Sequence, residues 1–452
     1  MVYLHILLDF YVWFCYNIIM NRSLIDKLKK WKDKPGRKPL VLYGVRQAGK
    51  TWIMKDFGDK CYKQTAYFSF DNNEKLREIF KNDLNVTRII HALSAEIGFN
   101  ITASDTLIIF DEIQECPIAM TSLKYFNENA PEYNIIAAGS LLGVMSLEGT
   151  GFPVGKVDML TLYPMTFFEF LQAVDNRFME TINNLDFDLL PVFHDSLIEL
   201  LKQYFFIGGM PASVKCYAET KNFFDVREVQ TTIINAYYAD FIKHIPDSNI
   251  AKVRTLWDSV PAQLSKENKR FLYSDIKQGS RGRDYELALQ WLKDTGLIKM
   301  LNRVSLPKMP LIAYQEASIF KLYMSDIGLL SARTSLDPKI YNDTNNLFTH
   351  YKGVLAEQFV LQELLALTGS MPIYYWAQDK NNAEIDFVIQ HENMIIPIEV
   401  KAGTNIKSES LKTYKKLFNP QVSVISSQNK YKKGGETIEI PLYLIGKIKE
   451  LI

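Results

Sequence analysis

Two groups of residues in this chain have the types and spacing to do chemistry. The first is "GVRQAGKT", which fits the pattern G-x-x-x-x-G-K-[ST]. Gly44 and Gly49 let the backbone turn its N–H groups onto phosphate oxygens, and the N-terminus of a following helix adds its positive dipole end. Gly44, Val45, Arg46, Gln47, Ala48, Gly49, Lys50 and Thr51 would then wrap the phosphates of ATP. Lys50 would reach the β- and γ-phosphates, and the Thr51 hydroxyl would bind Mg2+. The bland alternative is a glycine-rich turn with an exposed lysine. A second element agrees with the phosphate reading. Asp111 and Glu112 close the apolar run "TLIIFDEIQE". There Asp111 would hold the Mg2+ hydration shell and Glu112 would polarise the attacking water as general base. Alternatively the pair only caps a strand end. Ser140 closes the next apolar run, "YNIIAAGS", where it could sense a γ-phosphate or serve as a helix N-cap.

The second group lies in "EIDFVIQHENMIIPIEVK", residues 384–401. The pattern [DE]-x-K alone means little, because it occurs five times in the chain. Only Glu399-x-Lys401 ends an apolar run that follows another strand-like run across the turn "HEN". Residues two apart on a strand share a face, so Glu399 and Lys401 point the same way, and Asp386 on the neighbouring strand can fall beside Glu399. Upstream, Glu357 sits among apolar residues of the amphipathic stretch "YKGVLAEQFVLQELLAL", where an unpaired carboxylate is costly.

Elements must position these residues. Apolar runs ending in chemistry and alternating with helical stretches predict a parallel doubly wound α/β sheet over residues 20–175. Residues 176–249 are helical in pattern, broken at Gly208-Gly209 and Pro211, as a helical lid would be. Residues 250–335 read as three helices and a hairpin, a winged-helix pattern. Its candidates for nucleic-acid contact are Lys269, Lys277, Arg281 and Arg283, though Asp284, Glu286 and Asp294 interrupt the charge. Residues 345–452 read as a second α/β domain: helix, hairpin, helix, strand.

Composition sets limits. A chain of 452 residues with a net charge of +1 is long enough for two or three domains and is not a globally basic nucleic-acid binder. Cys15, Cys61, Cys116 and Cys216 form no C-x-x-C pair, which argues against a disulfide framework or zinc site and fits the cytoplasm. The apolar stretch 1–19 stands apart. Asp9 in its middle costs roughly 2.5–3.5 kcal/mol in a membrane. It also lacks a basic start or cleavage site, so a signal peptide is not expected; the stretch reads as an extension before a natural start at Met20, with a membrane anchor as the lesser alternative.

From about Met20 to the C-terminus, "GVRQAGKT", "LIIFDEIQECP", "APEYNIIAAGSLLGV", "FPVGKVDMLTLYPMTFFEF" and "GGMP" together resemble one group of prokaryotic AAA-type ATPases, in which an ATPase core is fused to a C-terminal domain of unknown function. The resemblance implies an ASCE-type core, with Lys50, Thr51, Asp111 and Glu112 in the roles above. It transfers no arginine finger; Arg46 and Lys156 are the basic residues nearby. In the C-terminal part, "GVLAEQFV", "EIDFVI" and "IPIEVKAG" resemble the PD-(D/E)xK nuclease superfamily. By that resemblance Glu357, Asp386 and Glu399 would bind Mg2+ through hard oxygen ligands, and Lys401 would orient water or stabilise phosphorane charge. The alternative is a nuclease-like fold kept for binding, with internal lysine–carboxylate pairs. The leading expectation is an ATPase coupled to a partner, nucleic acid first with DNA as one candidate, and a homo-oligomer as a further expectation. The rivals are an ATP-gated metal-dependent DNA nuclease and a non-hydrolysing nucleotide switch.

Overall fold

The computed structural model describes residues 20–139, 153–266, 269–337, 352–369, 371–378 and 383–452. Ser140 and the apolar stretch 1–19 lie outside them. Among the described residues no helix is long and apolar enough to cross a membrane. The chain divides into two compact units. One holds Arg22–Tyr163 and Arg283–Ile298; the other holds Pro164–Gly282 and Lys299–Ile452.

The first unit is built on a five-stranded sheet of order β2-β3-β4-β1-β5. The strands are β1 (Leu40–Tyr43), β2 (Gln64–Ser69), β3 (Thr106–Asp111), β4 (Asn134–Ala138) and β5 (Asp158–Thr161). Every pairing is parallel. Each residue of β3 and β4 is buried, as expected where helices cover both faces and strands become continuous apolar runs. Phe70, Phe80 and Phe110 pack with ring centroids 5.6–5.8 Å apart on one face. Because β4 lies between β1 and β3, the loop after β1 and the acidic end of β3 flank the end of β4 at the carboxyl edge of the sheet. Ligands bind at that edge in open α/β folds.

The second unit holds an eight-stranded sheet of order β12-β13-β11-β10-β9-β8-β6-β7. Its strands are β6 (Ile298–Val304), β7 (Gln315–Met324), β8 (Tyr374–Ala377), β9 (Glu384–His391), β10 (Met394–Val400), β11 (Ser423–Ser427), β12 (Lys432–Gly434) and β13 (Thr437–Pro441). β9 and β10 form the expected antiparallel hairpin, closed by Glu392 and Asn393 with His391 opposite Met394. Glu392 has φ 50°, the left-handed backbone that two-residue hairpin loops demand.

Two groupings differ from the sequence expectation. The hairpin read as a wing is not isolated: β6 pairs in parallel with β8, so β6 and β7 extend the C-terminal sheet. The helices expected to form a lid also belong to this second unit. Tyr204 and Phe205, on the helix Leu190–Ile207, pack against Phe359 of the helix Lys352–Thr368 at 5.8 and 5.3 Å. Turn and helix patterns are local, whereas the partner of a strand edge or a helix face is not.

Candidate functional site

The phosphate loop leaves β1 at Tyr43 and ends at the first turn of the helix Lys50–Cys61. Gly44 is required by contact: a Cβ there would lie 2.5 Å from the Leu162 carbonyl oxygen. Gly49 is required by backbone, with φ 94° immediately before the helix. Gln47 is also left-handed, at φ 67°. Alternating left- and right-handed residues turn successive N–H groups to one side, which makes an anion-binding concavity.

Lys50 is buried beneath the loop. Its Nζ donates to the carbonyl oxygens of Gly44 at 2.8 Å and Val45 at 3.2 Å. Burial pulls its pKa down to about 8, against the charges of Glu112 and Asp111 that favour the ammonium, with Arg46 adding a smaller push down. Thr51 Oγ1 donates to Asp111 Oδ2 at 2.6 Å, so the first helical turn and the end of β3 meet through one hydrogen bond. Tyr67 OH, from β2, donates to the same oxygen at 3.0 Å. The backbone N–H of Glu112 donates to Asp111 Oδ1 at 3.1 Å. Glu112 itself has φ 50° and ψ 43°, a conformation that a non-glycine residue adopts only when its surroundings impose it. Gln114 Nε2 donates to Glu112 Oε2 at 2.6 Å. Thr51 and Asp111 thus offer adjacent hard oxygens, the donor set that suits Mg2+.

Of the two basic residues near this loop, Lys156 is engaged with Glu128 at 2.8 Å, and Arg46 is exposed. Three residues of this site were missed in the sequence: Tyr67, Gln114 and Arg22. Arg22 Nη1 donates to the Ala48 carbonyl at 2.9 Å, and Nη2 donates to the Tyr163 carbonyl at 2.5 Å. Nothing local marks it out, because it stands beside a lysine-rich amphipathic helix (Leu24–Lys32). A strand alternation pattern could have placed Tyr67 on one face, but only the pairing of β2 with β3 puts that face beside Asp111.

The second candidate cluster lies on the eight-stranded sheet. The β9–β10 register pairs Phe387 with Ile398, and one step further along the register sets Asp386 opposite Glu399. Asp386 Oδ2 accepts the Val400 N–H at 2.8 Å. Burial, then the charges of Glu357 and Glu399, pushes the Asp386 carboxyl well above the usual range, against Lys321 and Lys269. Glu357 is buried and ion-paired with Lys269, and its Oε2 accepts from Tyr323 OH at 3.1 Å. Burial would raise its pKa, but Lys269 and Lys321 together hold it below the ordinary value. Lys321 is fully buried and pairs with Glu384. Glu399 Oε1 meets Lys401 at 2.8 Å and accepts from Ser408 Oγ at 2.9 Å, while its buried Oε2 has no hydrogen-bond partner.

The four residues read from the sequence therefore share one neighbourhood. Their carboxylates are nonetheless largely answered by protein groups: Lys269 and Tyr323 for Glu357, Lys401 and Ser408 for Glu399, and a backbone amide for Asp386. Among the described residues no three carboxylate, histidine or cysteine side chains converge to hold a metal ion. Lys269, expected to face nucleic acid, is turned inward to Glu357. Lys277, Arg281 and Arg283 are exposed.

Comparison with known proteins matches a named family over the stretch that holds the first site and domains of unknown function elsewhere. Residues 36–171 match the family described as AAA domain. Residues 198–340 match a domain of unknown function (DUF8612), and residues 352–445 match another (DUF4143). An uncharacterized protein of Methanocaldococcus jannaschii is 23% identical over 412 residues, covering 88% of this chain and 82% of its own. One of Mycobacterium tuberculosis is 22% identical over 426 residues, covering 92% and 83%. Among solved structures, a Walker-type ATPase of Pyrococcus abyssi aligns with 70% of this chain and 96% of its own, at 15% identity and a TM-score of 0.44. The phosphate loop, the acidic end of β3 and the matching family together make residues 36–171 an AAA-type P-loop domain.

Proposed function

We propose that this protein binds ATP at Gly44–Thr51 and hydrolyses it. The observation that carries the reading is the 2.6 Å hydrogen bond between Thr51 Oγ1 and Asp111 Oδ2, which joins the phosphate loop to the acidic end of β3. Thr51 and Asp111 would hold Mg2+, which when bound offsets the charge that develops on the transferred phosphoryl group. The loop amides and the Lys50 ammonium bind the phosphates and hold them in place. Glu112 accepts a proton from water as the water oxygen attacks the γ-phosphorus and the β–γ bridging oxygen departs with ADP. Gln114 orients the Glu112 carboxylate for that step.

The rest of the chain would couple this cycle to a partner. Exposed Lys277, Arg281 and Arg283 make nucleic acid the first class to test, and a second copy of the chain the next. Steady-state phosphate release tests the reading directly, with DNA and RNA added in separate arms. Lys50→Ala should abolish nucleotide binding. Glu112→Gln should bind ATP normally and lower turnover by about two to four powers of ten, the range for loss of a general base. Wild-type turnover in either variant would remove that residue from its role.

The C-terminal cluster supports a second reading, a metal-dependent DNA nuclease. It is favoured by the juxtaposition of Asp386 with Glu357 and Glu399, and by the unpartnered Glu399 Oε2. It requires Lys269 to release Glu357. Manganese binding followed by electron paramagnetic resonance, in parallel with cleavage of labelled DNA, decides it. The nuclease reading expects both signals from the wild type and neither from Asp386→Ala. Equal manganese binding by the two proteins, without cleavage, would leave the cluster a purely structural set of ion pairs.

A further inference from the structure

A phosphate loop can bind only if its amides already face inward, and in this protein a side chain from outside the loop holds one of its peptides. Arg22 is buried at 6% exposure, just before the helix Leu24–Lys32. One arm of its guanidinium reaches the Ala48 carbonyl at 2.9 Å; the other reaches the Tyr163 carbonyl, two residues past β5, at 2.5 Å. The peptide joining Ala48 to Gly49 is planar, and in a trans peptide C=O and N–H point in opposite directions. Holding the Ala48 oxygen on the Arg22 side therefore directs the Gly49 N–H to the opposite side of that peptide plane. Left-handed Gly49 bounds that peptide and left-handed Gln47 precedes Ala48, so the fixed carbonyl sits between two residues in the left-handed region.

The second arm ties the loop to the sheet. Tyr163 follows Leu162, whose N–H donates to the Tyr43 carbonyl at 2.8 Å and whose own carbonyl lies against Gly44. The loop is thus held at its start by Leu162 and near its apex by Arg22, both anchored to the same segment after β5. Ala48 is fully buried, so its carbonyl would lose its Arg22 partner with no exposure to water in exchange. A guanidinium suits the task because its donors are rigidly forked and can serve two carbonyls at once; a lysine ammonium on a flexible stem holds one well.

We propose that Arg22 is a positioning residue of the phosphate loop, acting through the Ala48–Gly49 peptide on the phosphates of the nucleotide. The proposal rests on the reading of Gly44–Thr51 as the ATP site. Full-length wild type, Arg22→Ala, Arg22→Lys and Lys50→Ala are titrated with a fluorescent ADP analogue, and the active proteins are followed in ATP turnover. Arg22→Ala should weaken ADP binding by about tenfold, the scale of one charge-assisted hydrogen bond, with Arg22→Lys in between. The KM for ATP should rise in step, with kcat within about twofold, because the loop grips ground state and transition state alike. A purely structural role would instead shrink the active fraction, lowering kcat at unchanged KM and unchanged ADP affinity. That result, or ADP affinity in Arg22→Ala within about twofold of wild type, overturns the proposal. Should Arg22→Ala fail to fold, Arg22→Lys decides: weakened ADP binding supports the proposal and wild-type affinity overturns it. Wild type that binds no more ADP than Lys50→Ala overturns the ATP reading itself, and the role of Arg22 with it.

Discussion

At the scale of single residues, Asp111 is the hub of the N-terminal site. One of its oxygens accepts from two hydroxyls, Thr51 and Tyr67, and the other from the Glu112 amide. Removing the Tyr67 hydroxyl takes away one of the three hydrogen bonds that hold Asp111 and leaves the Thr51 and Glu112 bonds in place. Tyr67→Phe should therefore raise the Mg2+ concentration for half-maximal ATP turnover by roughly three- to tenfold, the net worth of one ordinary hydrogen bond. Maximal turnover at high Mg2+ should change little. A magnesium titration of the ATPase checks this, and an unshifted midpoint would make the Tyr67 contact incidental. Lys50, Thr51, Asp111 and Glu112 were legible from the sequence because their spacing sits in a local strand–loop–helix pattern. Tyr67 and Arg22 were not, because each acts across a strand pairing or a long chain separation.

At the scale of elements, the helix Lys352–Thr368 is the spine of the C-terminal unit. Its polar residues do what backbone does elsewhere. Gln358, at 1% exposure, accepts from the Met324 N–H at 3.0 Å and donates to the Met324 carbonyl at 2.8 Å, matching both groups at the end of β7. Gln362 accepts from the Ile327 N–H and donates to Tyr204 OH. Gly209 of the "GGMP" motif donates to Asp326 Oδ2 at 2.6 Å, and a Cβ there would lie 2.1 Å from the Met165 carbonyl oxygen. The "GGMP" stretch, which carried part of the resemblance, here joins this helix in locking four segments together. Gln358→Met keeps the volume and strands both Met324 backbone groups, so it should cost about 2–6 kcal/mol, at about 1–3 for each buried orphan. Urea unfolding followed by circular dichroism measures it, and a loss below about 0.5 kcal/mol would refute the bridging role. The helix was legible in the sequence as amphipathic; that its buried glutamines substitute for strand partners was not, since Met324 lies 34 residues away.

At the scale of the whole molecule, buried carboxyls tie folding stability to pH. The C-terminal unit buries carboxyls without full ionic compensation. Burial raises Asp326 to about 6, and burial with help from Glu169 raises Glu363 to about 8, although amides of Gly209, Leu329 and Phe167 oppose the rise. Both groups hold protons more tightly folded than unfolded. The unfolded chain therefore binds fewer protons between the ordinary carboxylate range and the raised values, and folding stability declines as pH rises from about 4 through about 8. Each tenfold difference in proton affinity is worth about 1.4 kcal/mol. The expected outcome is a lower urea midpoint at pH 8 than at pH 5, with the slope flattened in Glu363→Gln. A midpoint that rises across the same window would contradict the assignment.

What the sequence determined by itself is the chemistry confined to short stretches. The phosphate loop, the acidic strand end and the β9–β10 hairpin each show as a pattern of residue types within about twenty residues, where spacing and periodicity foretell the local backbone. Tertiary structure decided what lies across from what. It set β4 between β1 and β3, brought Arg22 to the loop apex, drew β6 and β7 into the C-terminal sheet, and placed Lys269 and Lys321 against carboxylates the sequence had reserved for metal. The physical reason is the same in each case. Pairing and packing partners are chosen by the burial of whole faces and by the satisfaction of buried polar groups, which are sums over distant segments that no local window contains.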